Sequence, residues 1–283
     1  MERNTAKRTL EKLLSVCICL CMLGAMLPAQ VLAEEADTAQ TETVQDTAPK
    51  DTVHLSSADD LIQLAKNCRL DSWSQNRTVV LEADIDLSSV DFNGIPSFGG
   101  TWEGQNHAIT GLSLSQDGSV QGLFRYVQQG ALVRDMTVKG RIKPGGTRAS
   151  VGGIAGSNAG TIENCAFDGV VSGTSQIGGI AGVNTVKGSI NGCTVSGTVY
   201  GSHFVGGVVG QNDGVAANCT NAASVNTTVS QNEVKLNDLT LDNVLKTEKA
   251  NDVTDAGGIA GNNAGVLRAC INRGTIGYSH IGY

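Results

Sequence analysis

Short apolar runs, broken by Gly and Asn, recur in one order through the second half of the chain. The phrases are VGGIAG at 151–156, IGGIAG at 177–182, VGGVVG at 205–210 and AGGIAG at 256–261. After one variable residue comes Asn158, Asn184, Asn212 or Asn263. Then follow a glycine (Gly160, Gly188, Gly214, Gly265), an apolar position (Ile162, Ile190, Ala216, Leu267) and a cysteine (Cys165, Cys193, Cys219, Cys270). Successive copies begin 26, 28 and 51 residues apart (152 to 178, 178 to 206, 206 to 257). The last interval is one repeat plus roughly one repeat-length of inserted chain. A register kept in so many columns marks internal repetition, which decides the fold before any single motif does.

No repeat carries a helical 3.6-residue pattern. The apolar positions alternate instead in short pieces, as in VSGTV at 195–199 and INRGTI at 271–276. A unit of two or three short strands cannot bury its apolar side alone, but it can when stacked about 4.8 Å from a like unit. The predicted fold is all-β: a right-handed, single-stranded parallel β-helix, with the handedness that parallel crossovers take. Each column then has an expected task. Gly152, Gly178, Gly206 and Gly257, with the glycine after each, provide backbone freedom and a tight interior. The Asn column suits a corner, because Asn tolerates left-handed backbone and its amide can bond the copy above. The cysteines are expected inside, reduced, as small hydrophobes.

These residues resemble the GLUG-motif repeats of bacterial surface proteins. The segment FGGTWEGQNHAITGL at 98–112, followed by GLFRYV at 122–127, resembles the leader of such repeats. The resemblance implies a right-handed β-helix with an adhesin-like role over roughly residues 53–283. It also implies a peptidase alternative, since similar repeats precede the catalytic part of some peptidases of the IgA-cleaving type.

Ahead of the repeats, residues 1–33 read as a signal peptide. Arg3, Lys7, Arg8 and Lys12 precede an apolar stretch from Leu13 to Leu27, and Val31, Leu32 and Ala33 lead to a cut before Glu34. That stretch is shorter than the ~20 residues a membrane span needs, so no membrane insertion is expected after cleavage. Residues 34–52 are polar and acidic and read as a disordered linker. Residues 53–119 read as an N-terminal cap and first coils. Ser57, Ala58, Asp59 and Asp60 open a short helix in the manner of a capping box, with Leu61, Leu64, Ala65 and Cys68 on one face. Val79, Leu81, Ala83, Ile85 and Leu87 alternate as a strand. The helix is expected to cover the open end of the stack. Residues 120–283 hold the repeats, with an inserted loop at about 226–255. The close at Ile281, Gly282 and Tyr283 looks like the opening of another coil, so the chain is expected to be the front of a longer protein.

Composition agrees with a thin stack. Glycine is 36 of 283 residues and aromatics are 4 %, against a usual glycine share of about 7 %. Residues 1–33 take four basic and two acidic residues from totals of 20 and 27, which leaves a net charge of −9. That balance argues against nucleic acid and anionic membranes as partners.

Catalytic chemistry has little to build on. His54, His107, His203 and His280 form no His-Glu-x-x-His pair. Asp84 and Asp86, with Asp91 nearby, stand at i, i+2 and could share a cation, but solvated outward positions explain them more simply. Asp117, Asp135, Asp168 and Asp213 fall in different columns. No catalytic, metal or cofactor residue is assigned. The expected function is that of an exported, non-catalytic cell-surface stalk or adhesin-like region, binding a glycan or protein on a host or neighbouring cell. The alternative is the non-catalytic front of a surface peptidase or glycan-active enzyme with its catalytic domain beyond Tyr283. A lyase or hydrolase within this chain is a third reading and lacks an acidic groove.

Overall fold

The computed structural model describes residues 51–146, 148–227 and 255–277, all within one compact unit, Thr47–Tyr283. The leader at 1–33, nearly all of the linker, the body of the inserted segment, His280 and the last residues lie outside them.

The unit is a parallel β-solenoid of about six turns. Each coil visits four faces in order. In one central coil these are Thr161–Glu163, Ala166–Ser172, Ser175–Gly178 and Ala181–Asn184, and the next coil restarts the first face at Ser189–Asn191. Every strand pairs in parallel with its counterpart one coil away: Ile162 with Ile190, Phe167 with Val195, Ile177 with Val205, Ala181 with Val209. First-face strands run from Val53–Leu55 to Val266–Arg268, and second-face strands from Ile85–Asp86 to Ile271–Asn272.

The repeated apolar positions become stacked interior columns. On the first face Val79, Trp102, Val133, Ile162, Ile190 and Ala216 are fully buried. On the second face Leu114, Ile142, Val171, Val199 and Val225 form another column. Between Phe98, Trp102 and Phe124, ring centroids are 5.3–6.1 Å apart, so the leader-like segment supplies an aromatic plug at the N-terminal end.

The helix forms as its sequence directs, over Ala58–Asn67. Ser57 Oγ accepts from the Asp60 amide at 3.2 Å, and the Asp60 carboxylate accepts from the Ser56 amide at 3.1 Å. Leu61, Leu64 and Cys68 are buried in the core. The helix packs against Val53–Leu55 and Ile95–Phe98, the terminal strands of their sheets. The alternating run at 79–87 is not one strand. It divides into Thr78–Leu81 and Ile85–Asp86 around a corner, and alternation survives because both pieces turn the same parity inward.

The glycine columns serve close approach rather than unusual backbone. Neither Gly152 nor Gly178, Gly206 or Gly257 has positive φ. A Cβ on Gly152 would stand 2.7 Å from the Ala181 Cα of the next coil, and one on Gly153 would run into the Gly179 carbonyl and the Phe167 ring. The coil persists to Asn226, whose amide donates to the Val199 carbonyl. Ala256 and Gly257 take up the register again against Val205 and Gly206.

Candidate binding surface

Inside the stack the Asn column is a continuous ladder of amides. Asn158 Nδ2 donates to Asn184 Oδ1 at 2.8 Å, Asn184 to Asn212 at 2.8 Å, and Asn212 to Asn263 at 2.7 Å. Each amide also donates to a backbone carbonyl of its own turn, Gly160, Gly188 or Gly214. Burial without cost requires such full pairing. The expected left-handed backbone is not here. It falls one corner later, at Asp135, Asn164, Asn218 and Ala269, with φ between 50° and 55°. Asn158 and its counterparts end a strand, where the side chain and not the backbone bridges coils. A second pair, Asn221 to Asn272 at 2.8 Å, follows the same rule on the second face.

That later corner explains the cysteines. The left-handed residue turns the chain from first face to second and leaves a strand-end carbonyl pointing inward. The Cys165 thiol donates to the Glu163 carbonyl at 3.2 Å, Cys193 to Asn191 at 3.4 Å, Cys219 to Ala217 at 3.2 Å and Cys270 to Arg268 at 3.5 Å. All four are free thiols. Burial pushes the Cys165 thiol up to about 12, and the Cys193 thiol is raised by its hydrogen bond with Cys219 and by burial. The Cys165 and Cys193 thiols are therefore held protonated in the core.

Outside the same corner runs a polar stripe. The Arg134 guanidinium donates to both Glu103 oxygens at 2.7 and 2.8 Å and lies 3.8 Å from Asp135. Asn164 donates to Asp135, Asn191 to Glu163 and Asn218 to Asn191. Charges thus alternate over Glu103, Arg134 and Glu163, and the stripe continues with the neutral Asn191.

The acidic and histidine candidates are likewise tied to backbone or to single partners. Asp84 accepts from the Ala108 amide at 2.9 Å and faces His107 Nδ1 at 3.1 Å. The backbone bond first, and His107 second, hold its carboxyl below the usual range. Asp86 accepts from the amide and hydroxyl of Ser88, which lower it in that order. The two carboxylates therefore serve different turns. His54 pairs with Glu82 at 2.6 Å and His203 with Asp255 at 3.4 Å. Asp168 accepts from Ser196, Asp213 from Gln211, and Asp117 lies against Gly145 and Gly146. Among the described residues no group of three or more His, Cys, Asp or Glu could hold a metal ion.

Sequence reasoning grouped the columns and missed these cross-coil partners. The His–carboxylate pairs join residues 23 to 52 apart, and only coil register brings such positions together. Each could have been found by writing the sequence one coil per line.

Among the described residues no helix is long and apolar enough to cross a membrane. No family model matches the chain, so the GLUG likeness rests on the repeat residues themselves. The chain is 29 % identical over 128 residues to Halomucin of Haloquadratum walsbyi, a match covering 39 % of this chain and 1 % of that protein. A crystal structure of a Bacteroides ovatus protein, provisionally named an immunoglobulin A1 protease, aligns over 83 % of this chain and 80 % of its own, at 19 % identity and a TM-score of 0.48. The chain thus spans a small fraction of the curated relative it matches.

Proposed function

We propose that this chain is an exported, non-catalytic β-helix of the cell surface, of the GLUG-repeat kind, that binds a glycan or protein through its lateral faces. One observation carries the reading: apolar columns fill the interior from Val79 to Ala216, which leaves the outward faces as the surface offered to a partner. Catalysis needs groups converging within hydrogen-bond reach. Here Asp84 is tied to the Ala108 amide and His107, Asp86 to Ser88, His54 to Glu82 and His203 to Asp255, each a separate pairing. Export rests on the basic, then apolar, leader and the VLA motif at 31–33. Likeness to a protein named as a mucin is in keeping with that place.

The test uses the exported chain. It should retain a ligand from an array of surface glycans and matrix proteins, and should turn over none of them, with or without calcium and zinc. Reproducible hydrolysis or elimination that disappears in Asp84→Asn/Asp86→Asn would replace this reading with an enzymatic one.

A further inference from the structure

On the second face, Thr137–Ile142 carries the only outward row of cations among the described strands. Lys139, Arg141 and Lys143 are exposed, while Val138 just before them and Ile142 among them are fully buried. The buried pair pins the strand, so the three cations stand at i, i+2 and i+4, roughly 6.6 Å apart along it. That spacing is below the Debye length of about 8 Å at physiological salt, so their fields add.

The row is only partly offset by its surroundings, since the Asp84 carboxylate lies within electrostatic reach of Lys139. None of the three lies within ion-pair distance of a carboxylate. Lys139 also stands in register with Asp168, a carboxylate that accepts from Ser196 at 2.8 Å and forms no ion pair with the row. Arg141 lies between Ser113 and Val170. The corner stripe offers the contrast, because there Arg134 is chelated by Glu103. Adjacent like charges disfavour one another across and along strands. A chain of net charge −7 that keeps three of them in line, none in an ion pair, offers a matching row to a partner's repeating negative charge.

We propose that the row Lys139, Arg141 and Lys143 binds an acidic polysaccharide, one bearing carboxylate or sulfate groups along its length. The inference rests on the binding reading above and names its ligand class. Lysine and arginine donate charge-assisted hydrogen bonds to such oxyanions, and the hydroxyls of Thr110 and Ser113 on the preceding coil suit sugar hydroxyls. Nucleic acid fits less well. The outward neighbours Thr110, Ser113, Asp168, Val170 and Ser196 include no aromatic ring on which bases would stack. A duplex would also meet the net negative charge of the whole chain.

The experiment measures retention of the exported chain on immobilised heparin (sulfated), polygalacturonate (carboxylated), dextran (neutral) and single-stranded DNA, over a salt series. Retention is expected on at least one acidic polysaccharide, weakening with salt. The combined variant Lys139→Gln, Arg141→Gln, Lys143→Gln should lose about tenfold in affinity, and Lys187→Gln, an exposed cation on another corner, should lose none. Circular dichroism checks folding of the combined variant, and the three single variants, each expected to weaken binding about twofold, decide the matter if it fails to fold. Unchanged binding by the variants, or tighter retention on DNA, overturns the proposal. Retention on dextran alone overturns it and leaves the broader binding reading standing; retention on no immobilised or arrayed ligand removes both.

Discussion

Asn158 Nδ2 lies 2.8 Å from Asn184 Oδ1, with both side chains fully buried and 26 residues apart in sequence. Asn184 also donates to the carbonyls of Gly188 and Val215 and to Asn212, so it is the centre of a ladder that has no solvent to fall back on. Asn184→Leu would remove the side-chain acceptor of the Asn158 amide and the side-chain donor to Gly188, Val215 and Asn212. A loss of about 3 kcal/mol is expected in urea unfolding, and a loss under about 1 kcal/mol would show that the ladder is ornamental to stability.

Thiol reactivity should follow position in the stack. Cys165, Cys193 and Cys219 are buried, Cys270 only partly, and burial keeps the Cys165 thiol protonated to about 12. At pH 8 in native buffer a maleimide should label Cys270 first and the other three only on unfolding. Cys193→Ser should cost about 1–3 kcal/mol. Rapid native labelling of Cys193, or a disulfide-linked peptide from this column, contradicts the arrangement.

Acid should loosen the N-terminal end before the centre. Asp60, Asp84 and Asp86 have carboxyls held low by hydrogen bonds to Ser57, the Ala108 amide and the Ser88 amide. A group depressed on folding contributes stability above its unfolded value, about 3.9, and that contribution vanishes as pH falls through the lower folded value. Hydrogen exchange at 58–67 and 108–110 should therefore rise below about pH 4 while 177–199 stays protected. Equal loosening along the whole stack would assign the acid response elsewhere. Asp84→Asn should make exchange at Ala108 less dependent on pH.

Glycine at the coil contact should be far less replaceable than glycine at a turn. Gly153→Ala sets a methyl against the Gly179 carbonyl and the Phe167 ring, and overpacking of about 3 kcal/mol is expected. At Gly130 the space is open and φ is +83°, so alanine should cost only about 1 kcal/mol. Comparable melting temperatures for the two variants would refute the close-approach account.

The repeats at 151–276 announced the coil because stacking forces one column onto the next, and a column is visible in sequence whenever its residue is repeated. The Asn and Cys columns were legible for that reason. Their partners were less so: whether Asn158 serves a left-handed corner or an amide ladder depends on which side of the turn it stands, and spacing alone does not say. The coils before Val151 hid better, since Val127 and Phe98 occupy the ladder position that Asn158 holds later. The row at Lys139 was invisible for a different reason. Cations are common on strands, and only the packing of the coils shows that none of these three closes an ion pair with a described carboxylate.

The helix Ala58–Asn67 closes the first coil, whereas each later coil is built on the one before it, with partners mostly 25–35 residues back. Contacts of such short reach demand little loop-closure entropy at each step. Folding can therefore begin at the helix and advance by accretion, one coil at a time, in the order in which the chain emerges. Under the export proposed above, the direction of secretion and the direction of assembly would be the same. A translocation intermediate stalled under that proposal would hold a finished, closed-off N-terminal stack with only its growing rung exposed.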